Sequence, residues 1–144
     1  MKNILRTSFK SVSRNEALAR GIAAQFAMLS DPTVEELSDI RTAVSEAVTN
    51  AIVHGYGHAE GEVRLDISSE DRLITVTVED DGRGIEDIEL ARRPFYTSAP
   101  ESDRAGLGFA VMEAFMDSVE VDSAPGRGTR VTMKKMLRPD EGER

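Results

Sequence analysis

The chain of 144 residues contains no cysteine. That absence excludes a disulfide framework, thiolate zinc sites and a cysteine nucleophile, and it is compatible with a reducing compartment. Only 5 prolines and 11 glycines are present, while 40% of the residues are hydrophobic and 31% are charged. These proportions exclude collagen-like, low-complexity and disordered classes and fit an ordinary globular domain. The most apolar stretch, residues 21–29, is interrupted by Gln25 and is too short for a membrane span, and the first residues carry no apolar run of signal-peptide length. The expectation is a cytoplasmic protein that does not engage a membrane. Basic residues are outnumbered by acidic ones, 18 against 26, for a net charge of −8. A duplex DNA binder needs a cationic face to displace counterions, so direct nucleic-acid binding is not expected. Any polyanionic ligand would have to be held by local donors. Neither a Walker A sequence nor a complete G-x-G-x-x-G occurs, which removes the P-loop and Rossmann routes to phosphate.

What is present reads as one domain over residues 1–137 followed by a polar tail, 138–144. A first strand is expected over 4–10. Ser13 and Glu16 have capping-box spacing, predicting a helix to about Leu29 with Leu18, Ile22, Phe26 and Leu29 on one stripe. A second helix is predicted from Asp31-Pro32-Thr33, with Pro32 in its first turn and Glu35 and Glu36 favouring its positive end. Its apolar stripe is Leu37, Ile40, Val44, Val48 and Ala51, and a left-handed glycine at Gly55 is expected to stop it. Strands follow at 62–68 and 73–79 around a turn at Glu70-Asp71, then a loop-rich stretch, 81–106, with a short helical piece near 87–91. A helix over 107–116 and strands at 118–121 and 129–136, joined by a turn at 124–128, complete the chain. The order β-α-α-β-β-α-β-β predicts an α/β two-layer sandwich, a mostly antiparallel sheet with helices on one face.

Three motifs carry chemistry. Glu46 and Asn50 lie one turn apart, roughly 200° and 240° around the second helix from Val44. From the helix alone the plainer reading is a solvated polar surface. The sharper one is a site floor, with a carboxylate to take a proton and an amide oxygen for a hard cation such as Mg²⁺. Next, Asp80-x-Gly82-x-Gly84 ends a β-rich run, so the backbone can leave the strand sharply. It reads either as a polar turn or as a ligand-facing bend; the ligand spacing of a calcium loop is missing. Third, Gly106-x-Gly108 leads into a helix, where backbone N–H groups favour an anion, and Arg104 could add a bidentate fork. Here packing is the competing explanation. His54 and His58 are separated by Gly55 and Gly57, which argues against a metal pair. Met112, Phe115 and Met116 read as core or helix-packing residues.

Taken together, Glu46-xxx-Asn50, Asp80-x-Gly82-x-Gly84, Gly106-x-Gly108 and Gly128-Thr129 resemble, in order and spacing, the Bergerat-fold ATP-binding superfamily of gyrase, the heat-shock 90 chaperones and histidine kinases. Within it, residues 44–56 and 106–117 are most similar to the anti-sigma F factors of endospore formers, which are small serine protein kinases. The resemblance implies that Glu46 is the general base for a substrate serine and that Asn50 coordinates Mg²⁺ bridging the ATP phosphates. It implies Asp80 as acceptor for the adenine amine with Thr129 supporting the base, Gly82 and Gly84 packing on the nucleotide, and Gly106 and Gly108 cradling phosphate beside Arg104. ATP or ADP with Mg²⁺ would be the cofactors, and 86–103 a lid. Partners implied are a sporulation sigma factor F, held inactive, and an anti-anti-sigma protein, phosphorylated on serine, both meeting Arg20. A homodimer is also implied. The lid departs from the family pattern, with Ala99 before Pro100 where a lysine is usual, and with Tyr96. Related readings are a kinase for a general-stress sigma factor and an ATP-dependent binding module without transfer activity. A detached histidine-kinase module is disfavoured, because no dimerisation helix bearing a phosphorylatable histidine fits in this length.

Overall fold

The structure is a computed structural model that describes residues 1–93 and 108–139. The elements are β1 (Asn3–Lys10), α1 (Asn15–Met28), α2 (Val34–Asn50) continued by a π-helical turn (Ala51–Gly55), β2 (Glu62–Glu70), β3 (Leu73–Asp80), α3 (Ile88–Ala91), α4 (Gly108–Phe115), β4 (Ser118–Ser123) and β5 (Thr129–Met136). Among the described residues the strands form one sheet, ordered β1-β2-β3-β5-β4, with every neighbouring pair antiparallel. The expected two-layer α/β sandwich is what forms.

Strand alternation decides which face is covered. Val63, Leu65 and Ile67 of β2, Ile74, Val76 and Val78 of β3, and Val131 and Met133 of β5 are buried on the helix side. The intervening positions, such as Arg64, Thr75, Thr77 and Glu79, are only partly covered. The edge strand β1 is largely exposed, with Ile4 and Leu5 among its open residues. Helix α2 lies in the middle of the helical layer, packed against both α1 and α4. Ile40, Val44, Val48 and Ala51 are buried and Leu37 is packed against the core, as its stripe predicts.

Helix starts differ from the sequence reading. Ser13 does not cap α1: the helix begins at Asn15 after Arg14, which is already helical at φ −65 and ψ −21 and makes no capping bond. The Ser13 carbonyl instead accepts from the Glu16 N–H, and the Glu16 carboxylate turns to Arg20. The capping box belongs to α2, where Thr33 accepts from the Glu36 N–H at 3.1 Å and Glu36 accepts from the Thr33 N–H at 2.9 Å. Pro32 therefore precedes the cap instead of sitting in the first turn.

The buried face of α1 is also rotated from the predicted stripe. Of that stripe Phe26 is buried and Ile22 packs against the core, but Leu18 and Leu29 are exposed, and Ala19, Ala23 and Ala27 are buried in their place. The alanines allow α1 to lie close against α2, a gain that the bulkier leucine stripe would forfeit. The β2–β3 turn falls one residue later than expected, at Asp71 (φ 51) and Arg72 (φ 69), the pair of positive angles of a type I′ hairpin.

Candidate functional site

Helix α2 does not end on a left-handed Gly55. Its last turn widens into the π-helical turn, and positive φ first occurs at Gly57 (59) and His58 (65). Gly55 is required for a different reason. A Cβ there would stand 2.8 Å from the Asp80 carboxylate, and one on Gly82 would stand 2.0 Å from the Gly55 carbonyl oxygen. The end of α2 and the bend after β3 thus meet backbone to backbone. The Arg83 N–H donates to the Gly55 carbonyl at 2.9 Å, and Arg83 Nε donates to the His54 carbonyl at 2.7 Å.

The same bend is held from its other side. Gly84 has φ 76, and a Cβ on it would lie 1.9 Å from the Ala124 carbonyl oxygen. Gly128 has φ 78 and would drive a Cβ into the Asp80 carbonyl at 2.0 Å. Gly126 N–H donates to the Arg83 carbonyl at 2.7 Å, and Ile85 N–H to Ser123 Oγ at 2.8 Å. Ser123 Oγ in turn donates to the Gly128 carbonyl and lies 2.9 Å from Thr129 Oγ1. Tyr56 Oη accepts from the Asp81 N–H at 2.7 Å and donates to the Glu62 carbonyl at 2.6 Å. Arg64 forks onto both Asp81 oxygens at 3.0 Å, which holds the Asp81 carboxyl below its usual range.

These contacts frame a cavity of about 480 Å³. Its wall includes Asn50 from α2, Asp80 from β3, Gly84 from the bend, Gly108 from α4 and Thr129 from β5. Five of the residues singled out from sequence therefore converge. Gly82 serves the closure of the chain on Gly55. Glu46 is 7% exposed and lies one turn before Asn50; the part of α2 on the wall is Ala47 and Asn50. Both α1 and α4 pack on α2, and Thr42, Thr49 and Asn50 beside Glu46 are partly covered, so that side is not an open solvated face. Arg20 lies on α1, partly exposed and paired with Glu16 at 3.6 Å, and takes no part in the wall. Arg104, Gly106 and the lid stretch around Tyr96, Ala99 and Pro100 lie outside the described residues.

Asp80 is the buried carboxylate of the cavity wall. It is 5% exposed, and burial pushes its carboxyl up to about 6. Backbone N–H groups of Gly82, at 2.8 Å, and Thr129 donate to it and oppose that rise. The result is a carboxylate with part of its acceptor capacity committed and the rest facing a 480 Å³ space. At another part of the wall, a Cβ on Gly108 would lie 3.0 Å from the Asn50 side-chain oxygen and nitrogen, so Gly108 of α4 is laid on that amide. Among the described residues no group of three His, Asp or Glu side chains could hold a metal by itself. One amide oxygen beside a helix start suits a cation that takes its remaining ligands from phosphates and water, as Mg²⁺ does. The donor set therefore fits a magnesium-nucleotide.

His54, Gly55 and Arg83 also line the cavity, and sequence reasoning missed them. His54 is held below its ordinary value by burial and by the Arg83 charge. The signal available was Gly55, whose place just beyond the helix was read as a helix stop.

The histidine kinase-like ATPase domain family matches residues 9–135 of this chain. An anti-sigma F factor of Pasteuria penetrans is 54% identical over 138 residues, covering 94% of this chain and 92% of that protein. The chain belongs to the anti-sigma F factors of the histidine kinase-like ATPase family. The anti-sigma F factor of Bacillus subtilis is 47% identical, over 95% of this chain and 94% of its own length. The crystal structure of the RsbU and RsbW domains of a Mycobacterium tuberculosis protein shares the fold, with a TM-score of 0.68 at 21% identity, covering 95% of this chain and 33% of that one. Family membership places the Asp80–Asn50 cavity in an ATPase fold. No described helix is long and apolar enough to cross a membrane.

Proposed function

We propose that this chain is a cytoplasmic, ATP-dependent serine protein kinase. It binds and inhibits the sporulation sigma factor F and phosphorylates the anti-anti-sigma protein that antagonises it. The observation that carries this reading is the convergence of buried Asp80 and the Asn50–Gly108 contact on one cavity. Asp80 accepts the adenine exocyclic amine, and Thr129 supports the base beside it. Gly108 and, ahead of it, Gly106 offer N–H groups to phosphate, with Arg104 at the terminal phosphoryl group. Asn50 holds Mg²⁺, which when bound supplies charge neutralisation at the phosphates.

In the transfer, the partner's serine oxygen forms a bond to the γ-phosphorus as the bond to the β–γ bridging oxygen of ATP breaks. The serine proton passes to the Glu46 carboxylate, and ADP leaves with the bridging oxygen. Arg20 on the outer side of α1 meets the protein partners, and the exposed β1 edge supports a homodimer. Neither role requires contact with nucleic acid.

Incubating the chain with labelled ATP, Mg²⁺ and the anti-anti-sigma partner tests the reading. Acid-stable label on the partner supports it; acid-labile label or none contradicts serine transfer. Glu46 is buried and is not among the residues of the wall, which gives substance to a second reading, an ATP-dependent binding module without transfer. Retention of sigma factor with ATP but no label on the partner would select that reading.

A further inference from the structure

Strand β5 breaks its own pattern. Val131 and Met133 face the helical layer and are buried, and Lys135 occupies the next position of that row, opposite Ile74 in the core. A lysine in such a row has to be matched by charge and acceptors. Its ammonium pairs with Asp39 of α2 at 3.1 Å, the two side chains being only 12% and 17% exposed. It also donates to the carbonyl of Phe115, the last residue of α4, at 2.8 Å. Two more bonds fix the same corner: Asp117 N–H donates to the Lys134 carbonyl at 2.9 Å, and Met136 N–H donates to the Asp117 carboxylate at 2.6 Å.

Helix α4 is therefore fastened at its C-terminal end to β5 and, through Lys135 and Asp39, to α2. Its first residue, Gly108, is the one laid on Asn50 of the same α2. Fastening the C-terminal end of α4 limits how its described part, Gly108–Phe115, can tilt against α2. We propose that Lys135 is a positioning residue for the nucleotide site: by tying the far end of α4 to α2, it sets where the phosphate-facing N–H groups at Gly108 stand relative to the Asn50 amide. The inference rests on the nucleotide reading above and adds a determinant outside the cavity, since neither Lys135 nor Asp39 lines it. Asp80 and Thr129 are in β3 and β5 themselves, so the base end of the cavity does not depend on α4.

The test uses the full chain with Mg²⁺ and measures displacement of a fluorescent ADP analogue by adenosine, ADP and ATP. Lys135→Met is expected to weaken ADP and ATP by about tenfold while adenosine changes less than about twofold, because small misplacement of an oriented donor is costly. Lys135→Arg, which keeps the charge and a donor, is expected to restore most of the loss. If Lys135→Met fails to fold, Asp39→Asn, which keeps the side-chain shape, is expected to give the same split in a weaker form. Equal weakening of adenosine and ATP, or no weakening of either, would overturn the inference. A wild-type chain that binds none of the three ligands would sink the nucleotide reading itself, so the two failures are distinguishable.

Discussion

The Asp80 carboxylate occupies the space that a Cβ on Gly55 would need, 2.8 Å from its nearest atoms. The end of α2 and the end of β3 are thereby brought together at the carboxylate that the cavity presents to a ligand. Gly55→Ala forces one of them to move. The expected result is destabilisation of about 1–3 kcal/mol, the usual cost of overpacking. Loss of ATP affinity should accompany it, with chemical denaturation and calorimetry as the measurements. An alanine variant with unchanged stability and affinity would show that the close approach is unimportant.

Asp80 also gives opposite pH trends for folding and for binding. Its folded-state carboxyl is raised to about 6 from 3.8, chiefly by burial. A raised value means that the folded chain binds the proton more tightly than the unfolded chain. The associated stability is present in full below the unfolded value and is lost as pH rises through about 6. The shift corresponds to about 3 kcal/mol at most. ATP affinity should run the other way, because the ionised carboxylate is the better acceptor for an amine. Denaturation and titration at pH 5 and pH 7.5 check both trends, and Asp80→Asn should flatten both. Parallel trends would contradict the assignment.

Thr33 supplies one half of the α2 capping box, and Glu36 the other. Thr33→Ala is expected to cost about 1 kcal/mol, within the range of about 0.5–2 kcal/mol for lost caps. Glu36 has a second task, since its other oxygen accepts from the Arg138 N–H at 2.7 Å and ties the chain after β5 to the start of α2. Burial raises the Glu36 carboxyl, but these hydrogen bonds outweigh it and hold the group below its ordinary value. Urea unfolding should therefore show a larger loss for Glu36→Ala than for Thr33→Ala.

Glu46→Gln keeps the shape of the side chain while removing its basicity. Transfer to the partner serine is expected to slow by about 10²–10⁴-fold, with ATP affinity retained. Phosphorylation time courses alongside titrations read the two quantities separately. An unaltered rate would remove Glu46 from the chemistry.

Much of this arrangement was legible in the sequence because it rests on short-range rules. The α2 stripe from Leu37 to Ala51, the alternation in β2 and β3, and the glycine bend after Asp80 all stand close to where periodicity and turn chemistry predict. The misreadings arose where tertiary contacts decided between local options. Ser13-Glu16 and Thr33-Glu36 have the same spacing, and only the second becomes a capping box. Leu18 and Leu29 yielded the buried face of α1 to three alanines because helix proximity outweighed side-chain bulk. Gly55 looked like a helix stop, yet its role is to admit a carboxylate from a strand 25 residues away, a contact that no local pattern encodes. From α2 alone the side bearing Glu46 could be either a solvated surface or a site floor, because the helix does not reveal what packs on it; Glu46 is buried.

The central claim is that this cavity takes an adenine nucleotide through Asp80. It is tested most directly by calorimetric titration of the wild-type chain and of Asp80→Asn with ATP and with GTP, each with Mg²⁺. The account predicts that wild type binds ATP more tightly than GTP by at least about 100-fold, since guanine presents an acceptor to the Asp80 acceptor. It also predicts that Asp80→Asn loses most of that preference. Equal affinity of the wild type for ATP and GTP, or no binding of either, would contradict it.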